Sequence, residues 1–121
     1  MWGRIKRNKL DILFSEYIRK KAKGICERCG RNMGWKNLDC SHFHGRRKMS
    51  VRYNEQNCSA LCKGCHRFFT ENPAQHTDFF IKRLGEKEYK KLMLDADIPK
   101  QPDYKLLEIY YTKLLSEIEK K

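Results

Sequence analysis

Residues 26–29 read Cys26-Glu-Arg-Cys29, and further along positions 62–66 read Cys62-Lys-Gly-Cys65-His66. Two thiols three positions apart can grip one tetrahedral ion. Two such pairs supply four thiolates, which close the coordination sphere and leave no position for substrate. The pattern therefore assigns Cys26, Cys29, Cys62 and Cys65 to a structural Zn2+. Gly30 and Gly64 accompany the pairs, as the tight turns of a metal knuckle favour. A redox reading of the pairs lacks the βαβ context it would need. A zinc-deaminase reading lacks a His-x-Glu ahead of Pro-Cys-x-x-Cys. The other two of the six cysteines, Cys40 and Cys58, are expected as small buried residues rather than ligands.

Around this frame, 121 residues with 40% hydrophobic and 35% charged content suit a single domain with a modest core, the size at which a metal staple helps. The basic N-terminus MWGRIKRNKL has no apolar stretch of the kind a secretory signal needs, and no apolar run approaches the ~20 residues of a bilayer span. Reduced thiols and a cytoplasmic location are the expectation. The balance of 27 Lys+Arg against 15 Asp+Glu gives a net charge of +12. Such a charge draws polyanions, so nucleic acid is the expected partner, with a merely solubilising surface as the plainer alternative.

The flanks read as helices. Leu10, Leu13, Phe14, Tyr17 and Ile18 share one helical face, predicting an N-terminal helix over 9–24 that ends on a Gly24 cap. Between 25 and 71 the helical period is lost. Strands are expected near Asn37–Phe43 and Cys58–Leu61, joined by the loop His44–Asn54, with a helix starting within 62–65 and running to about Glu71. Asn72-Pro73 reads as a helix start with Asn72 as N-cap, Gly85 as its stop, and a further helix over 86–95. From Tyr104, a stripe of Leu107, Tyr111, Leu114 and Ile118 fits core packing or a dimer seam. The organisation is thus one domain over 1–121: helix 9–24, a metal-stapled core 25–71 and a helical extension 72–121.

Within the core lie LDCSHFHGRR, RYNEQN and ALCKGCH. The order His42, Asn57, His66, with the last His directly after a CxxC, resembles the HNH endonucleases, a His-Me finger or ββα-metal family in which many members carry a four-cysteine zinc frame. DILFSEYIRKKAKGICERCG, DCSHF and RRKMSVRYNEQN further resemble phage recombination endonucleases of the NinG type and related phage HNH proteins, over roughly residues 9–95. The resemblance implies an α+β fold, a zinc-stapled, treble-clef-like ββα-metal core with flanking N- and C-terminal helices. If the chain is phage-encoded, its compartment is the host cytoplasm.

The implied activity is metal-dependent hydrolysis of DNA phosphodiesters, on recombination or branched phage DNA, giving a 5′-phosphate and a 3′-hydroxyl. A neutral His can accept a proton, which suits His42 as general base. The resemblance gives Asn57 the task of orienting it, through side chain or backbone, and makes His66 a ligand of a catalytic Mg2+ or Mn2+. Many HNH proteins place Asp or His just before the base, whereas Ser41 stands here. Asp39 is the nearest carboxylate to replace it, although a regular strand would point Asp39 and His42 to opposite faces. His44 and, through water, Thr70 are alternatives, and His66 could instead enter the zinc site. His76 is expected on a helix surface. Arg46, Arg47, Lys48 and Arg52 form a basic loop suited to phosphate. A non-catalytic zinc-stabilised DNA-binding module, a degenerate form of the same fold, is the competing function, and a homodimer stays open.

Overall fold

The computed structural model describes residues 8–120. The first seven residues, including much of the basic N-terminal stretch, lie outside that range. Helix α1 (Lys9–Lys21) starts at a capping box: the Asn8 side chain accepts from the Asp11 N–H at 2.9 Å, and the Asp11 carboxylate accepts from the Asn8 N–H at 2.8 Å. Arg19, Lys20 and Lys21 in its last turn suit the negative end of the helix dipole. The helix stops three residues short of Gly24. Gly24 has φ +76°, and a Cβ there would come within 3.1 Å of the Gly34 Cα and the Trp35 N. Gly24 therefore serves a close backbone contact as well as a left-handed turn, a contact invisible to a cap signal.

Strands β1 (Leu38–His42) and β2 (Cys58–Cys62) pair antiparallel in unbroken register, from Leu38 opposite Cys62 to His42 opposite Cys58. A short 3-10 turn precedes each, Trp35–Asn37 and Glu55–Asn57. Helix α2 (Lys63–Glu71) follows β2 without a break, and α3 (Pro73–Leu84), α4 (Glu86–Ala96) and α5 (Tyr104–Glu119) complete the described chain. None of the described helices is long and apolar enough to cross a membrane. The architecture is a small α+β one, with five helices and a two-stranded sheet among the described residues.

Leu10, Phe14, Tyr17 and Ile18 of α1 share one buried cluster with the sheet residues Leu38, Ala60 and Leu61 and with Tyr111 and Leu115 of α5. The expected C-terminal stripe thus packs on α1, and Leu107, Leu114 and Ile118 flank that contact. A second cluster joins Val51 to Leu92 and Ala96 of α4, so the helical extension covers the loop between the strands. Asn72 stands at the N-cap of α3 as expected, but without a side-chain cap. Its side chain makes no N-cap bond to α3 but donates to the Phe68 carbonyl at 2.8 Å, closing the end of α2, while its backbone carbonyl accepts from Gln75 and His76 and Pro73 opens α3.

Arg52 also corrects its sequence reading. It is 4% exposed and forms a two-pronged pair with Asp11, Nε to Oδ1 at 3.0 Å and Nη2 to Oδ2 at 2.6 Å. A side chain so engaged is not on offer to a phosphate. Asp11 consequently serves two structures at once, the start of α1 and the far end of the inter-strand loop. Removing one member of a buried pair strands the other's charge. Arg52→Ala should therefore lower unfolding free energy by about 3–5 kcal/mol, read from urea denaturation at saturating zinc. A loss under 1 kcal/mol, about the worth of a surface ion pair, would contradict this.

Candidate functional site

The first cysteine pair sits on a turn. The Gly30 N–H donates to the Cys26 carbonyl and the Cys26 N–H to the Arg31 carbonyl, both at 2.9 Å, and Gly30 takes φ +76°. The second pair is built differently: Cys62 ends β2 and caps α2, and Cys65 lies in the helix's first turn. Gly64 there is helical, without the positive φ of a knuckle. Glu27 ties the two halves together. Its N–H donates to the Ala60 carbonyl at 2.9 Å, its carboxylate accepts from the Ala60 N–H at 2.5 Å, and Arg83 of α3 holds the other oxygen at 3.0 Å.

As a result the sulfurs of Cys26, Cys29, Cys62 and Cys65 all lie within 4.8 Å of one another, with Cys29 and Cys62 3.9 Å apart. The surroundings suit thiolates. The Cys29 N–H points at the Cys26 sulfur at 3.5 Å, and the Arg28 guanidinium donates to Cys65 at 3.4 Å. Burial alone would raise the Cys26 thiol, but backbone N–H groups of Cys29, Cys62 and Arg28 outweigh it and hold the thiol at about 6. Four converging sulfurs with such donors fit a structural Zn2+. His66 stands outside the group and does not replace a cysteine.

Beside β1 lies a cavity of about 630 Å³. Leu38, Asp39, Cys40 and His42 all line it, although Asp39 belongs to the opposite side of the pleat from the other three, and β2 contributes nothing. The cavity therefore runs along the side of β1 away from β2. That placement lets Asp39 and His42 share it without the bulge that alternation seemed to require. Helix α2 adds His66. Ser41 is 2% exposed, faces Ser59 across the sheet and lies off the wall, which removes it as a ligand.

His42 is held by a hydrogen bond from Nε2 to the Arg52 carbonyl at 3.0 Å. A carbonyl only accepts, so Nε2 carries the proton and Nδ1 keeps its lone pair. Burial, together with the nearby Arg46 and Arg52 charges, lowers this imidazole from 6.5 to about 4 despite the Arg52 carbonyl and Asp11, so it is neutral at physiological pH. Asn57, fully buried, makes no hydrogen bond to the His42 ring. Its amide oxygen accepts from the His44 N–H at 2.8 Å, its NH2 donates to the His44 and Val51 carbonyls at 3.0 and 3.2 Å, and its own carbonyl accepts from Phe43 at 2.7 Å. Asn57 clamps both ends of the basic loop, and the Arg52 carbonyl holds the imidazole in its stead.

The His66 Nδ1 meets Asp39 Oδ2 at 2.9 Å, and Lys63 donates to the other oxygen. Burial alone would raise the Asp39 pKa, but its bonds to Lys63 and His66 bring it below the ordinary carboxylate value. Thr70 donates to its own helix at the His66 carbonyl and is off the cavity wall, as is His44, whose strand has ended at His42. His76 is half-buried rather than a plain surface residue: it stacks on Phe69 at 4.7 Å and meets Phe43 and Phe80 edge-on. Of the four basic residues expected to meet phosphate only Arg46 lines the cavity; Arg47 is exposed and Lys48 pairs with Asp97 at 3.6 Å. Arg19, Lys36 and Lys63 supply cations to the wall that sequence reasoning missed. Lys63, inside the second CxxC, was the one with a visible signal.

A family model described as the bacteriophage lambda NinG protein matches residues 5–121. No curated protein and no solved structure matched the chain.

Burial lowers the imidazole of His76 to about 4, like that of His42. The unfolded chain takes up these protons near 6.5, the folded one only near 4, so folding stability is complete above 6.5 and declines as pH falls toward 4. With zinc in excess, the melting temperature should drop between pH 7 and 5, and His76→Phe should flatten that slope. An unchanged slope in the variant would contradict the placement of His76.

Proposed function

The chain belongs to the NinG family, and from that premise we propose that it is a metal-dependent DNA endonuclease of the HNH type, built on a zinc-stapled, treble-clef-like ββα core. The observation that carries this reading is the meeting of His42, Asp39 and His66 on one cavity whose walls also present Arg19, Lys36, Arg46 and Lys63. A neutral imidazole, a carboxylate–histidine pair and several cations in one recess are what phosphodiester hydrolysis requires: a proton acceptor, a metal anchor and charge for the phosphate.

His42 is the general base. With Nε2 committed to the Arg52 carbonyl, Nδ1 takes the proton of the attacking water. Its low basicity is offset by full availability, since little of it is protonated at neutral pH. Asp39 accepts the Nδ1 proton of His66, fixing the tautomer that offers Nε2 to a divalent ion. This makes Asp39 the residue that orients the ligand, and His66 the direct ligand. When bound there, Mg2+ or Mn2+ would polarise the phosphate and stabilise the departing oxyanion. The wall cations position the strand, and a net charge of +12 supplies salt-dependent attraction over the rest of the surface. Recombination intermediates or branched phage DNA are the proposed substrates.

Purified protein should nick plasmid DNA with Mg2+ or Mn2+, and His42→Ala should slow this by about 100-fold or more while DNA binding persists. Unchanged cleavage by a clean His42→Ala sample would sink the assignment. Tight binding without cleavage under any divalent ion would favour the non-catalytic DNA-binding module, for which the absent ligand at Ser41 and the Lys63–Asp39 pair speak.

A further inference from the structure

Beyond the four-cysteine group, a second cluster of soft ligands occurs among the described residues. Cys40, His42 and Cys58 each place one ligand atom within 4.8 Å of the others, a bound that the four-cysteine group also meets. The register explains the convergence. Cys40 lies opposite Ala60 and His42 opposite Cys58, so all three side chains rise from one face of the two-stranded sheet. We propose that these residues form a second metal site, for a thiophilic ion such as Zn2+ or Cd2+, whose occupation silences His42.

The donor set decides the class of ion. Two sulfurs and an imidazole suit Zn2+, Cd2+ or Cu+, and are poor partners for Mg2+ or Mn2+, which prefer oxygen. Entry is from one side, because Cys40 and His42 line the cavity, whereas Cys58, opposite His42 in the register, is off its wall and buried at 0% exposure. Solvent in the cavity supplies the fourth position. With three protein ligands in place of four, the site is weaker than the structural one and fills only after it. The Nε2 of His42 is bound to the Arg52 carbonyl, which leaves Nδ1 as ligand. On the reading of His42 as base, on which this consequence rests, Nδ1 is the atom that must take a proton from water. An ion and a proton compete for one lone pair, so a zinc-loaded second site and a working base exclude each other.

The test begins with metal counting on the full chain, by native mass spectrometry and Cd2+ titration followed through the sulfur-to-metal absorption. Wild type should bind one equivalent tightly and a second more weakly. Cys40→Ala, Cys58→Ala and His42→Ala should each keep the first equivalent, which also shows that they fold, and weaken the second by about tenfold or more. A wild type that stops at one equivalent, or a Cys40→Ala protein that keeps the second, overturns the site. The second arm adds Zn2+ to Mg2+-supported plasmid nicking. Zinc filling the second site should suppress nicking in wild type but not in Cys40→Ala, and equal suppression in both overturns the inhibitory role. If wild type never nicks DNA, the proposed endonuclease function falls, while the metal-counting arm still decides the site.

Discussion

Four sulfurs drawn within 4.8 Å of one another govern the path of everything between them. The first pair rides on a turn, the second on the junction of β2 and α2. Closing that gap obliges the intervening chain to leave, run out as β1, and return as β2. A core this small does not define such a path by apolar burial alone: the sheet has two strands, and much of its packing comes from helices outside the cysteine frame. The thiol cage and Glu27, which bonds both the N–H and the carbonyl of Ala60, set the height at which α2 departs. The position of His66 over Asp39 follows from that height.

A second constraint is electrostatic. A chain of net charge +12 must gather cations beside a cavity without letting them repel it apart. It does so by spending its carboxylates selectively. Asp11 neutralises Arg52 in the interior, Asp39 holds Lys63 and His66, and Glu27 holds Arg83. Arg19 and Lys36 gather around Trp35, with cation-to-ring distances of 4.9 and 5.8 Å. The aromatic face offsets part of their mutual repulsion without cancelling their charge.

Sequence reasoning reached what is local and lost what is not. The cysteine frame, the apolar face of α1 and the Gly85 stop are short-range patterns, and each is present in the structure. Arg52 looked like one more member of a basic loop because nothing nearby marked it. Its partner Asp11 lies in the first turn of α1, and that pairing is purely tertiary. His76 sits on a helix whose own pattern leaves it outside, yet Phe43 and Phe69 close over it from other elements. Asp39 and His42 were separated by strand parity, a rule about the faces of a sheet. The cavity lies along its side, where parity does not sort residues. Asn57 was read through a resemblance, and its amide instead grips the loop backbone.

The contact of α1 with α5 has a consequence for how the chain comes to be folded. Phe14 and Tyr17 meet Tyr111 with ring centroids 5.0 and 5.5 Å apart, and Lys20 pairs with Glu119. During synthesis, α1 leaves the ribosome early, with an apolar face part of whose cover is encoded beyond every other element described. All four residues of the cysteine frame precede α5 in the chain, so the frame is made in full before the helix that covers this face of α1. The wall of the cavity that α1 provides through Phe14 is thus backed in part by Tyr111, a residue made after every other element of the site.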